Sequence, residues 1–166
     1  YMQVVRCILQ KGPGSLHDPV SEMRSQTLDR RNNIMIKYTE EKIFTQDQTE
    51  ALFKSVGWVS GNYPERLHKA LMNSDTVITA WDNEKLVGLV RALDDTEMVA
   101  YMHYLLVHPD YQGYGIAKNL LGRIKEKYRD FLYIELMPED KNNVPFYKKH
   151  GFEVMEGGTA MYRFKY

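Results

Sequence analysis

Apolar positions along this chain fall into short blocks whose spacing switches between two periods. Met35-Ile36-Lys37-Tyr38 alternates and predicts a first strand. Thr45-Gln46-Asp47-Gln48 has the form of a capping box and predicts a helix through about Val56. A Gly-rich loop follows at residues 57–62, and Pro64 suits the first turn of a second helix carrying Leu67, Ala70 and Leu71. Residues 76–81, 85–93 and 98–107 predict three strands joined by turns at Asp82-Asn83-Glu84 and Asp94-Asp95. Ala117, Leu120, Leu121, Ile124 and Tyr128 recur at helical spacing. A strand at 131–136 and a short helix at 142–150, stopped by Gly151, come next. Residues 152–155 and 160–164 predict two last strands joined through Gly157-Gly158. The order is β-α-α-β-β-β-α-β-α-β-β, an α/β chain of the α+β kind.

The first 34 residues lack this regularity. Gly12-Pro13-Gly14 breaks any element, and residues 21–33 are strongly polar. They are expected to be an N-terminal extension of unknown role, or an arm packing on a neighbouring subunit in a homodimer. Residues 35–166 are expected to form one domain.

Charge and composition narrow the function classes. Twenty-two basic residues balance 22 acidic ones, and the pI is near 7.1. No basic excess points to nucleic acid or a membrane surface as partner. The lone Cys7 allows no internal disulfide and no Cys-based metal site. The histidines at 17, 68, 103, 108 and 150 show no metal-ligand spacing, so no metal is expected. No apolar run approaches the about 18 residues of a membrane span. Val4-Val5 and Ile8-Leu9 are too short for the core of a secretory signal. A reducing, cytoplasmic location is the expectation.

One stretch carries chemistry. Leu105-Leu106-Val107 ends a buried strand, and Gln112-Gly113-Tyr114-Gly115-Ile116-Ala117 opens the next helix behind Val107-His108-Pro109. Two glycines at a helix N-terminus offer free N–H groups, the positive end of a helix dipole and close access for a phosphate. A P-loop is excluded because no Gly-Lys-Ser/Thr follows, and a Rossmann turn because Lys118 stands where the third Gly belongs.

This stretch resembles the acyl-CoA loop of the GCN5-related N-acetyltransferases, the GNAT superfamily, whose pattern is Gln/Arg-x-x-Gly-x-Gly/Ala behind Val-x-Pro. A second match lies near the C-terminus, where Phe146-Tyr147-Lys148-Lys149-His150-Gly151-Phe152 resembles the family's Phe-Tyr-x-x-x-Gly-Phe. The resemblance covers about residues 35–166. It implies the GNAT fold: a mixed central sheet of about seven strands with four helices, splayed at the cofactor-binding strand. It also implies acetyl-CoA as co-substrate. Leu105, Leu106 and Val107 would bind the pantetheine arm through main chain. Gln112, Gly113, Tyr114, Gly115, Ile116, Ala117 and Lys118 would hold the pyrophosphate. The family's CoA-contacting Asn falls at Asp140, with Asn143 close by. Tyr147 matches the family's general acid toward the departing thiolate, and a phenol near pKa 10 is protonated at neutral pH.

The acceptor side is less defined by the resemblance. Acetyl transfer to an amine needs a neutral nucleophile and a proton acceptor. By period two, Tyr101, His103, Leu105 and Val107 are expected to share one face of the long strand. The family's histone-type Glu corresponds to Tyr101. His103 corresponds to a histidine of the serotonin-type arylalkylamine members and is the base candidate. A water-relayed route to Glu97 is the alternative, and His108, on the other face, is expected to be structural. Trp58, Tyr63, Glu97 and Tyr101 are candidates for the acceptor wall, near Arg66 and His68. The implied activity is direct transfer of acetyl from acetyl-CoA to the primary amine of a small molecule. A protein or peptide N-acetyltransferase, and a non-catalytic acetyl-CoA-binding sensor module, are the alternatives.

Overall fold

A computed structural model describes residues 34–163 and, in backbone only, residues 26–29. The strands are β1 (Gln26–Asp29), β2 (Ile34–Thr39), β3 (Thr76–Asp82), β4 (Lys85–Asp94), β5 (Val99–Val107) and β6 (Tyr133–Leu136). The helices are α1 (Gln46–Ser55), α2 (Pro64–Met72), α3 (Ile116–Lys127) and α4 (Val144–Lys149). Short 3-10 turns at Val59–Asn62, Pro109–Tyr111 and Lys141–Asn143 complete the path.

The helix starts follow local chemistry. Thr45 and Gln48 form the capping box: the Gln48 N–H donates to Thr45 Oγ1 (3.3 Å) and the Thr45 N–H to Gln48 Oε1 (2.9 Å). Pro64 opens α2, where its missing N–H costs nothing. Asn83, with φ of 52°, turns β3 into β4.

The strands lie in one sheet in sequence order, β1 to β6. All neighbours run antiparallel except β5 and β6, which are parallel and joined by the α3 crossover. Each face of the sheet buries its own core. On one face Val87, Met102 and Val107 meet Ile116, Leu120, Leu121 and Ile124 of α3. On the other, Val77, Leu89 and Leu106 meet Leu52 and Phe53 of α1 and Leu67 and Leu71 of α2. Gly88 sets the approach of α3 to β4. A Cβ there would stand 2.9 Å from Ile116 Cγ2 and 3.3 Å from Leu120 Cδ1.

Three expectations are corrected. Among the described residues the sheet has six strands rather than about seven. Residues 152–155 and 160–163 form no strand, and Val154, Met155, Met161 and Tyr162 are exposed. Phe164 lies outside the described residues, as do residues 1–25 and 30–33. Conversely, Gln26–Asp29 is a strand within the segment expected to be an extension. It pairs through its backbone with β2, and its Gln-Thr-Leu-Asp sequence has no apolar period to announce it.

The third correction concerns β5. Arg91 pairs with Tyr104, but Ala92 pairs with Met102. His103 is therefore an extra residue, a β-bulge. The bulge reverses the alternation, so Leu105 and Val107 join Met102 on the α3 face. His103 instead lies beside Tyr104, ring centroids 4.2 Å apart, on the face of α1 and α2. Tyr101 and His103 thus do not share a face with Leu105 and Val107.

Candidate active site

β5 and β6 pair from Val99↔Tyr133 to Met102↔Leu136, and there the ladder stops. From His103 to Val107 one backbone edge of β5 is unpaired by β6, while the other edge stays bonded to β4. Pairing with β6, which ends at Leu136, therefore stops just before the bulge. The glycine loop follows the C-terminal end of this unpaired stretch of β5. Gly113 and Gly115 have φ of 85° and 75°, a region that glycine enters without strain. Nothing lies within 4 Å of the Cβ position of Gly113, and only Asn119 Nδ2, at 3.9 Å, within that distance of Gly115's. Gly115 is the N-cap of α3 and provides no side-chain cap. The first N–H groups of α3 are thus left for an anion, with the helix dipole behind them.

The loop residues divide the work. The Ile116 side chain is fully buried in the core, and Tyr114 and Ala117 pack against it. Their contribution to an anion site is through backbone. The Gln112 side chain donates to Val107 O (3.3 Å) and ties the loop to the end of β5. Lys118 is exposed at the loop's rim. His108 accepts from the Asp110 N–H (3.3 Å) and caps the 3-10 turn, a structural role.

Tyr147 lies on α4 and packs, with Phe146 and Phe152, on the α3-side core that also receives Leu105 and Tyr114. Burial pushes its phenol above the ordinary tyrosine value, so it stays protonated at neutral pH. Lys125 of α3 donates to His150 O (2.8 Å) and holds the end of α4. Asp140 accepts from the Asn142 N–H (2.8 Å), and Asn143 is exposed just ahead of α4.

On the other face an open cleft of about 340 Å³ is lined by Ser60, Tyr63, Arg66, Leu67, Ala70 and Tyr104. Its wall is aromatic. Trp58 and Phe53 pack against Tyr104 at 5.6 and 5.0 Å, and Ser60 Oγ meets the Tyr104 hydroxyl at 3.0 Å. Arg66 lies 5.9 Å from the Tyr63 ring centre. His68 packs edge-on against Phe44 (5.8 Å) instead. Glu97 does not join this group. It lies in the turn before β5, held by its N–H to Asp95 Oδ1 (3.1 Å), and Val99 to His103 alone spans about 13 Å of strand.

Two residues that sequence reasoning passed over complete the site. Arg91 Nη1 donates to His103 Nδ1 (3.0 Å), and Arg91 Nε donates to Ser74 Oγ (2.7 Å). Ser74 in turn donates to Ala70 O (2.6 Å) at the end of α2. The guanidinium also stands over the Tyr104 ring at 5.4 Å. Burial and then the Arg91 charge hold the His103 pKa below the usual histidine value. The available signal was a charged residue inside the apolar run of β4.

This fold and this loop are those of the acyl-CoA N-acetyltransferase class. The Acetyltransferase (GNAT) family model matches residues 41–152, and the chain belongs to that family. An uncharacterized N-acetyltransferase, ycf52, of Pyropia yezoensis is 35% identical over 111 residues, 63% of each chain. The chain thus spans less than two thirds of that relative's length. A histone acetyltransferase of Glycine max is 32% identical over 127 residues, 68% of this chain and 54% of its own. Among solved structures, a GNAT family acetyltransferase from Streptococcus pneumoniae has a TM-score of 0.69 at 28% identity, covering 79% of this chain and 98% of that one.

Proposed function

We propose that the protein transfers acetyl from acetyl-CoA directly to the primary amine of a small-molecule acceptor. The observation that carries this is the uncapped α3 N-terminus, with two positive-φ glycines and open space above them, set against the free edge of β5. A diphosphate fits that cradle through the N–H groups of residues 113–118, and the β5 backbone offers bonds to an extended pantetheine arm. As co-substrate, acetyl-CoA supplies an activated thioester carbonyl.

The acceptor enters from the Tyr63–Tyr104 cleft, whose volume suits a small ligand. Its neutral nitrogen forms the new C–N bond as the C–S bond breaks. Tyr147 donates its phenolic proton to the departing sulfur and regains one from solvent. The nitrogen's surplus proton is lost on the acceptor side, where Tyr104 lines the cleft and His103 stands beside it on β5. A covalent enzyme intermediate is not part of this scheme, because Cys7 falls outside the family match. A reducing compartment that holds acetyl-CoA, such as the cytoplasm, meets the needs of the reaction.

The name of the Glycine max relative favours a second reading, in which the acceptor is a protein lysine or N-terminus. One experiment separates the two. Purified protein is given acetyl-CoA and a panel of small amines, lysine peptides and N-terminal peptides, and free thiol is measured. Acetylation of small amines alone supports the proposal. Turnover on peptides alone replaces it with the second reading, and CoA binding without turnover on any acceptor leaves a sensor module.

A further inference from the structure

We propose that Arg91 is a positioning residue of the acceptor site: it holds His103 as the neutral tautomer with its hydrogen on Nε2. His103 then offers a donor beside Tyr104, at the edge of the cleft, and no free lone pair, so the acceptor's proton leaves to solvent. This deepens the function proposed above and rests on it for the kinetic consequence, while the tautomer itself is a property of the free protein.

The chemistry is restrictive. A guanidinium has five donors, no acceptor and keeps its proton in proteins. The 3.0 Å contact from Arg91 Nη1 therefore makes Nδ1 of His103 the acceptor, and the neutral ring must carry its hydrogen on Nε2. The ring has no second lone pair to take a proton from an amine. Protonation at Nδ1 would break the Arg91 bond and set two cations face to face. Arg91 cannot easily turn aside. Its Nε is bonded to Ser74 Oγ, and Ser74 is buried and spends its own proton on Ala70 O. The Tyr104 ring closes another side.

The bulge makes this arrangement possible. In a regular strand His103 and Tyr104 would point to opposite faces. The extra residue brings both rings to the α2 face, beside the guanidinium. No carboxylate of the described residues forms an ion pair with Arg91 or Arg66. The charged and titratable groups around His103 are Arg91 on β4, Tyr101 and Tyr104 on β5, and Glu135 across from Tyr101 on β6. Asp75 acts on Arg91, and Arg66 and Tyr63 face the cleft from α2 and its approach. The Arg66 charge in the cleft lowers the pKa of an amine brought against it and eases loss of the proton to solvent.

The test is long-range proton–nitrogen NMR of the histidine rings in the free protein, followed through pH. Wild type is expected to show His103 as the Nε2–H tautomer, ionising below the ordinary histidine value of about 6.5. Arg91→Met keeps the apolar stem and removes the charge. It should raise the His103 ionisation and add to kcat/KM an ascending limb that disappears in Arg91→Met/His103→Gln. Arg91→Lys should restore the low ionisation in part. An Nδ1–H tautomer in wild type, or an unmoved ionisation in a folded Arg91→Met, overturns the proposal. If Arg91→Met does not fold, the wild-type tautomer decides alone. A wild type that acetylates no amine would instead refute the proposed function, and the NMR result would still stand.

Discussion

Arg91 on β4 donates from Nη1 to Nδ1 of His103 on β5 at 3.0 Å, across the one position where the two strands are out of register. This bond sets the pH behaviour of the site. The His103 pKa is lowered in the folded protein by burial and by Arg91. The neutral ring therefore favours folding. The contribution is complete above the unfolded pKa of about 6.5 and is lost as pH falls toward the folded value. Denaturant midpoints should fall below about pH 6.5, and His103→Gln should flatten that part of the profile. A wild-type profile no steeper than that of His103→Gln refutes the assignment.

The same bond predicts the rate profile. With wild type and two acceptors of different amine pKa, the ascending limb of kcat/KM should move with the acceptor. It should survive in His103→Gln. A limb that stays put and vanishes in that variant would restore His103 as the general base.

CoA should stabilise the protein against heat, because ligand binds only the folded state. At 100 times Kd the gain is about 2.7 kcal/mol, or roughly 5–11 °C for a domain of this size. Gly115→Glu should remove the shift. Its φ of 75° is strained for any side chain, and the added carboxylate opposes phosphate at the α3 N-terminus. An unchanged shift would move the cofactor site elsewhere.

Tyr147→Phe keeps the ring packed beside Phe146 and Phe152 and deletes only the donor. The expected loss in kcat is about 10²-fold, with CoA affinity little changed. Thiol release under saturating acetyl-CoA measures it, and a rate within about threefold of wild type assigns Tyr147 to packing.

Gly88→Ala places a methyl 2.9 Å from Ile116 Cγ2, inside a filled interface. The expected cost is about 1–3 kcal/mol, read as a lower urea midpoint. CoA affinity should fall as well, because the displaced α3 carries the glycine loop. A midpoint equal to wild type would show that α3 yields without strain.

The sequence by itself determined everything that depends on local chemistry. The capping box at Thr45, Pro64 at the start of α2, the apolar runs of β3 to β5 and the Gly113–Gly115 turn were all legible. Each is decided within a few residues of itself. The family motifs around Gln112 and Tyr147 were legible for the same reason. Only the tertiary structure decided what depends on neighbours distant in the chain. β1 exists because the edge of β2 offers backbone bonds, which leaves no apolar signature in Gln26–Asp29. The predicted C-terminal strands are not formed at residues 152–163, although β6 ends the sheet with an open edge. The bulge at His103 is a register mismatch between two strands, invisible in either strand alone. It overturned the face assignment of Tyr101 and His103, because one inserted residue exchanges the two faces of a pleated strand. Arg91 entered the site by the same route: a side chain in an apolar strand shows its partner only once the opposite strand is in place.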